Sequence, residues 1–221
     1  MRRLNKAHPL LLAAALAAGL FAQGKGLTAQ NTETLTVAGG CFWCVEGDFE
    51  SVKGVVEAVS GYTGGRTENP SYKDVSRGGS GHYEAVLITY DPSVVGREAL
   101  LHMFFRSIDP TDAGGQFCDR GESYRSAVFF SNPSEKALAE AQLAKAQAEL
   151  GRKIVTPLLP AAVFYEAEAY HQDYYKGSKV VFTRGGPKKQ SQAYKFYRKG
   201  CGRDARVLQL WGSAAPFART H

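Results

Sequence analysis

The chain has 221 residues, 44% of them hydrophobic, with four cysteines and a formal net charge of +6. A chain of this length builds one domain with a real core and has no need of disulfide staples. Residues 30–175 carry 12 Lys/Arg against 20 Asp/Glu, whereas residues 176–221 carry 11 Lys/Arg against Asp204 alone. That asymmetry predicts a basic tail folded back on an acidic body. A nucleic-acid-binding tail is disfavoured, because Tyr, Phe and Gly interleave with the cations and no nucleic-acid fold signature is present.

Arg2, Arg3 and Lys6 precede an apolar run from Pro9 to Ala22, and small residues follow. This is the pattern of a secretory signal peptide ending near residue 29, and the run is shorter than the ~20 residues of a membrane span. The mature protein is therefore expected to be exported, into a periplasm, with no stable membrane association once the signal is cleaved. Thr34–Val37 is β-prone and runs into Gly39-Gly40. Phe42, Val45, Phe49 and Val52 then form one apolar helical stripe that stops at Gly54. Val55–Tyr62 reads as a strand, residues 66–82 as a polar Gly-rich loop, and Glu84–Tyr90 as an alternating strand. Leu101, Phe104, Phe105 and Ile108 mark a helix ending before Pro110. Arg125–Phe130 is a further strand. Asn132, Pro133 and Glu135 occupy N-cap, N1 and N3 of a long helix with Gly151 just beyond its end. Ala161–Phe164 is a candidate strand, and after His171 the chain reads as loop. The expected fold is an α+β two-layer sandwich around a mixed sheet. Its domains would be a signal segment 1–29, a catalytic domain 30–175 and a basic tail 176–221.

The chemistry centres on Gly39-Gly40-Cys41-Phe42-Trp43-Cys44-Val45-Glu46. A thiol at a helix N-terminus feels the positive end of the macrodipole, which lowers its pKa and favours the reactive thiolate. Two other readings of the Cys-x-x-Cys pair stand beside this one. It could be half of a zinc site completed by Cys118 and Cys201, although those two are isolated and 83 positions apart. It could also be the motif of a thiol-disulfide oxidoreductase. Glu84 shares strand parity with Val86, Ile88 and Tyr90. At the end of an apolar stripe its carboxyl would be desolvated, raised in pKa and fit to serve as a general acid; in solvent it would be an ordinary carboxylate. Tyr72 and Tyr124 lie beside turns, where they could donate to a polar oxygen or simply pack. Asp119 follows Cys118 in the Gly- and Asp-rich 109–123 loop, and His171 taken alone reads as structural.

Seven motifs occur in order: Gly40-Cys41-Phe42-Trp43, Gly61-Tyr62-Thr63-Gly64-Gly65, Asn69-Pro70-Ser71-Tyr72, Gly81-His82-Tyr83-Glu84, Asp109-Pro110-Thr111, Tyr124-Arg125-Ser126 and Tyr170-His171-Gln172. Together they resemble the A-type peptide-methionine sulfoxide reductases, which act on the S epimer, over about residues 35–175. The resemblance implies a mainly antiparallel sheet with a ferredoxin-like core and a long irregular C-terminal tail. It implies Cys41 as nucleophile, Glu84 as the acid that protonates the departing oxygen, and Tyr72 and Tyr124 holding that oxygen with Asp119 behind them. Phe42, Trp43 and His171 would form the substrate-binding wall. The sulfenic acid left on Cys41 would condense with a second thiol. No bound cofactor or metal is implied. The partners would be methionine sulfoxide in oxidised proteins and a thioredoxin-like or dithiol electron donor, and the enzyme would be a monomer.

Two departures from the family stand out. Most relatives have Gly at the position of Cys44, which resembles a built-in resolving thiol in those that have Cys. Gly200-Cys201-Gly202 resembles the recycling cysteine of a C-terminal tail, with Arg198, Lys199 and Arg203 expected to depress its pKa. Cys44 and Cys201 thus compete as resolving residues, with a relay through both as one solution. Cys118 stands where relatives often have Asn or Pro, and reads as a small buried filler. The rival function is an envelope thiol-disulfide oxidoreductase, and a zinc-binding module is a third reading.

Overall fold

The computed structural model describes residues 31–218; the signal segment expected over 1–29 lies outside them. In chain order the main elements are strand β1 (Glu33–Gly39), helix α1 (Phe42–Glu50), β2 (Val55–Thr63), the short helix α2 (Tyr72–Ser76), β3 (Tyr83–Tyr90) and α3 (Arg97–Phe105). A two-residue hairpin, β4 (Gly115–Gln116) and β5 (Asp119–Arg120), leads to β6 (Ser126–Phe130), α4 (Pro133–Leu150), β7 (Leu158–Pro160) and β8 (Tyr165–Glu166). A second hairpin, β9 (Val180–Thr183) and β10 (Gly186–Lys189), precedes α5 (Gln190–Gly200) and α6 (Arg203–Trp211).

The principal sheet has six strands in the order β7-β6-β1-β3-β2-β8. Every pairing is antiparallel except β6 with β7. Its centre, β6-β1-β3-β2, joins β1-α1-β2 and β3-α3-β6 as two interleaved crossover units, which is the ferredoxin-like arrangement. Period-two alternation decides which face is buried. Leu35 and Val37 of β1 and Val86, Ile88 and Tyr90 of β3 point into the main core with Phe42, Val45 and Phe49 of α1. Ala38, Tyr83, Ala85, Ala127 and Phe129 form a smaller cluster with the opposite strand parity. Glu84 therefore projects from the core face of β3, and it is 2% exposed. Helix α4 begins as its sequence dictates. The Asn132 side chain accepts from the Glu135 N–H at 2.9 Å, Pro133 fills the first turn, and Gly151 closes the helix at φ 65°.

The expectation of an irregular tail is corrected. Residues after His171 build a hairpin and two helices. The buried side of α5 is formed by Ala193, Tyr194 and Arg198, and that of α6 by Arg203, Val207 and Trp211. Buried arginines interrupt the apolar residues on these faces, and a reading that places arginine at the surface misses them although their stems pack inside. The strand expected at Ala161–Phe164 is likewise displaced, with Leu158–Pro160 and Tyr165–Glu166 pairing on either side of it. The charge asymmetry resolves as anticipated. Arg198 pairs with Asp48 at 2.9 Å, Arg206 with Asp109 at 2.7 Å and Lys176 with Glu50 at 2.9 Å. Among the described residues no helix is long and apolar enough to cross a membrane.

Candidate active site

Cys41 is the N-cap of α1, placed there by the turn at Gly40. Gly40 has φ 83°, and a Cβ on it would lie 2.6 Å from Gln116 Cβ. Only glycine lets the 109–123 loop close this tightly over the nucleophile turn. Gln116 is itself fixed by two hydrogen bonds to Asp109: its side-chain oxygen accepts from the Asp109 N–H at 2.9 Å and its amide donates to the Asp109 carbonyl at 2.8 Å. The helix presents its first N–H groups beside Cys41. The Phe42 N–H is spent on Glu84, donating to Oε2 at 3.1 Å. Strand β3 and helix α1 are thereby tied at the reacting end.

Cys41, Cys44, Tyr72, Glu84, Asp119 and Tyr124 all line one cavity of about 620 Å³. Burial pushes the Glu84 carboxyl up to about 8, against the Phe42 N–H, which lowers it; the neighbouring Asp119 and Cys44 charges push the same way as burial. Glu84 is therefore mostly protonated at neutral pH, as an acid catalyst must be. Burial also raises Asp119. Tyr72 is pushed up to about 12 by burial and by the Glu84 charge, and Tyr124, raised further, donates a hydrogen bond to it. Both phenols are held as neutral O–H groups, facing a cavity that a polar oxygen could enter.

The thiol pair behaves differently from the helix-terminus expectation for Cys41. Cys41 is raised, first because its S–H is shared with Cys44, then by burial and by the Cys44, Glu84 and Asp119 charges. Cys44 is lowered, first by accepting from Cys41 and then, against the cost of burial, by Arg203 and Arg198. The helix dipole favours a thiolate at this end of α1; the bond from Cys41 does most to put the charge on Cys44, and two guanidiniums add to it. They come from the tail. Arg203, 2% exposed, donates to the carbonyls of Gly39 and Ser107, each at 3.0 Å, while Arg198 is anchored by Asp48 and Asp204. The cations expected to serve Cys201 thus point inward and serve Cys44.

Residues 33–202 match the sequence model of the family described as peptide methionine sulfoxide reductase. The chain belongs to the peptide methionine sulfoxide reductase family. It is 49% identical to peptide methionine sulfoxide reductase MsrA 2 of Caulobacter vibrioides over 213 residues, covering 96% of this chain and 100% of that one. It is 47% identical to the Bacillus subtilis MsrA over 187 residues, covering 83% of this chain and 98% of the relative. Among solved structures, the reduced form of Mxr1 from Saccharomyces cerevisiae superposes with a TM-score of 0.61 at 34% identity, covering 65% of this chain and 83% of that one. Methionine sulfoxide reductase A of Corynebacterium diphtheriae gives 0.59 at 31% identity, covering 71% and 84%.

Within this peptide methionine sulfoxide reductase the three residues of the expected aromatic wall sit at different depths. Trp43 lines the cavity, but Phe42, 1% exposed, lies behind it in the core. The face of Trp43 is covered by Tyr174, stacked at 3.7 Å between ring centroids and 3° between planes. His171 does not reach the cavity either. It is 2% exposed and accepts the Trp43 indole N–H on Nδ1 at 3.1 Å. Burial pulls its pKa down to about 4, so it is neutral, with its proton on Nε2. That hydrogen bond makes His171 a positioning residue for Trp43.

The cysteines of this methionine sulfoxide reductase form two pairs instead of one four-thiolate cluster. Cys41 and Cys44 are free, while Cys118 and Cys201 are joined in a disulfide across 83 residues with Cα atoms 4.9 Å apart. Cys118 is exposed, which corrects the buried-filler reading. Its partner was not visible in the sequence, because nothing local to either residue encodes the meeting of the 109–123 loop with the end of α5. Two further residues escaped the sequence reading. Glu168 accepts from the Tyr72 N–H at 2.8 Å and the Tyr62 O–H at 2.9 Å, fixing the start of α2 and with it Tyr72. Gln172 bonds both backbone groups of Ser60, at 3.0 and 2.9 Å, and so docks the His171 segment on β2.

Proposed function

We propose that this protein reduces methionine S-sulfoxide, free and in oxidised proteins, to methionine. The observation that carries the reading is the pairing of Cys41 with a protonated, buried Glu84 across one helix N-terminus, with two phenols facing the same space. A sulfoxide sulfur is a poor electrophile until its oxygen takes a proton. Glu84 supplies that proton, Tyr72 donates to the same oxygen, Tyr124 turns its O–H from Tyr72 to that oxygen when substrate enters, and Asp119 adds to the polar surround. The substrate methyl rests on Trp43. Cys41 attacks the sulfur as its own proton passes to Cys44, whose charge Arg198 and Arg203 support. The sulfoxide oxygen is transferred to Cys41 as a sulfenic acid and methionine leaves. The Cys44 thiol then attacks the Cys41 sulfur, water departs and a Cys41–Cys44 disulfide forms. A thioredoxin-like dithiol restores the thiols, and the chemistry calls for no metal or bound cofactor.

The basic residues and apolar run at the start of the sequence support export to the periplasm as a monomeric repair enzyme, where the donor would itself be an exported dithiol protein. The test is turnover of separated S and R epimers, free and peptide-bound, with dithiothreitol as reductant. The S epimer alone should be consumed, and Cys41→Ser should abolish it. Equal use of both epimers, or turnover by Cys41→Ser, refutes the assignment. A thiol-disulfide oxidoreductase would instead reduce insulin disulfides and show no dependence on Glu84.

A further inference from the structure

The cavity does not end at the reacting groups. Cys41, Tyr72, Glu84 and Tyr124 line its inner end, while Phe182 and Arg184 of the β9–β10 hairpin and Phe196 of α5 line its exposed end. Cavities of about 300–1,000 Å³ hold drug-sized ligands, so a single thioether side chain fills only part of this one, at about 620 Å³. The hairpin is fixed at both of its ends. At the base the Gln190 N–H donates to the Lys179 carbonyl at 2.9 Å and the Ser191 N–H to the Gly177 carbonyl at 3.0 Å. At the tip Thr183 Oγ1 donates to the Gly186 carbonyl at 2.6 Å and accepts from the Gly185 N–H at 3.1 Å. Gly185 rests on Phe196, where an added Cβ would lie 3.0 Å from the ring. Strand alternation sorts the side chains of β9. Val181 packs inward on the cluster of Cys44, Tyr174, Ala193 and Tyr194. Val180 and Phe182 have the opposite parity and are 66% and 89% exposed. Charge at this end is one-sided. Arg198 is committed to Asp48 and Asp204, and Arg203 to Asp48 and two backbone carbonyls. Arg184, Lys188, Lys189 and Lys199 form no ion pair among the described residues.

We propose that the β9–β10 hairpin selects among polypeptide substrates, with Phe182 taking an apolar side chain and Arg184 an acidic one from the chain that flanks the oxidised methionine. The inference rests on the sulfoxide reductase reading above and narrows its substrate to extended segments with apolar and acidic neighbours. Continuity decides the occupant. Whatever lies on Phe182 and Arg184 shares one cavity with a side chain that reaches Cys41 and Glu84. Glu84 is 2% exposed and Phe182 89%, so the occupant must enter a buried site and lie on an exposed one together. An extended chain does this, because at about 3.3 Å per residue its neighbouring side chains are carried outward from the one inserted. A large exposed aromatic beside a polar rim is the usual mark of a protein-binding surface. The rim cations, which have no acid of their own, favour a segment that brings one and repel a basic segment. Free methionine sulfoxide has no flanking residues to offer the hairpin.

The test compares free methionine S-sulfoxide with two blocked peptides that carry the S-sulfoxide at their centre, one flanked by Leu and Asp and the other by Leu and Lys. Dithiothreitol is the reductant. The wild type should favour the acidic peptide over the basic one by about three- to tenfold in kcat/KM at low salt. The preference should shrink in ~1 M sodium chloride, where the screening length is about 3 Å. Arg184→Glu should abolish or reverse it. Phe182→Ser should lower kcat/KM for both peptides relative to free methionine sulfoxide by about tenfold. Both side chains are exposed, and circular dichroism checks that each variant keeps its fold. Equal use of the two peptides by the wild type overturns the proposal, as does an Arg184→Glu variant with the wild-type ratio. Variants that slow only when a dithiol protein replaces dithiothreitol also overturn it, since the hairpin would then dock the donor. Failure to reduce any of the three substrates overturns the sulfoxide reductase reading itself, a distinct result.

Discussion

Replacing Glu84 by Gln should slow the enzyme and strengthen the fold at the same time. The side chain is nearly isosteric, and its carbonyl can still accept the Phe42 N–H now bonded to Glu84 Oε2 at 3.1 Å. What is lost is the acid. Positioned proton donors contribute on the order of 10²–10⁴-fold to rate, so single-turnover methionine formation at pH 7 should fall by that factor. The wild-type rate should also lose about tenfold per pH unit above the Glu84 pKa of about 8, a limb that Glu84→Gln lacks. Stability moves the other way. Burial lifts Glu84 from 4.5 to about 8, so between those values the folded chain holds a proton that the unfolded chain has released. Unfolding is therefore favoured by ~1.4 kcal/mol for each unit of rising pH in that window. From 4.5 to pH 7 the wild type loses about 3 kcal/mol that the amide never loses. Urea unfolding of both proteins at pH 5, 7 and 8.5 should show the variant gaining on the wild type as pH rises. A rate within threefold of wild type at pH 7 would remove Glu84 from the chemistry. A gap in stability that does not widen with pH would refute the burial argument.

Arg203→Met takes a cation from beneath Cys44 and leaves the Gly39 and Ser107 carbonyls without their 3.0 Å donors. Loss of one member of a buried ionic cluster costs about 3–5 kcal/mol, readable as a fall in urea midpoint. The thiol pair should need a higher pH for alkylation by iodoacetamide, and an unchanged alkylation profile would mean that Arg203 does not support the Cys44 charge. Gly40→Ala forces φ 83° on an L-residue and drives a methyl against Gln116. Left-handed backbone and overpacking together cost about 2–5 kcal/mol. The expected result is a lowered melting temperature with reduced turnover, and a wild-type melting temperature would show that the 109–123 loop yields freely.

The residues that could be read from sequence are those whose local pattern coincides with their tertiary role. Glu84 continues the parity of Val86, Ile88 and Tyr90, which put it on their face while leaving open whether that face was buried; it is. Asn132, Pro133 and Gly151 delimit α4 by backbone chemistry that needs no neighbour. The ordered motifs from Gly40 to Gln172 carry the family. Other features were hidden because their causes lie elsewhere in the chain. The expected acidity of Cys41 followed from the helix terminus, but its actual state follows from Cys44 and two arginines about 160 residues away. His171 and Trp43 lie 128 residues apart, and only their hydrogen bond reveals which of them meets the cavity. Tyr174, which covers Trp43, sits in a single 3₁₀ turn too short to leave a periodic signal. Helices α5 and α6 bury arginines, and residues of that type are ordinarily scored as surface.

The placement of Arg198 and Arg203 sets an order of assembly. Cys41 and Cys44 are made early, yet the groups that favour a thiolate between them arrive only when the far end of the chain has docked under α1. A polypeptide cut short before residue 198 would have its thiol couple in place and neither guanidinium to charge it. In such a chain the cations of the tail would no longer help to lower Cys44. Loss of the last helices, by proteolysis or a premature stop, would remove that help without touching a single residue of the reacting octet.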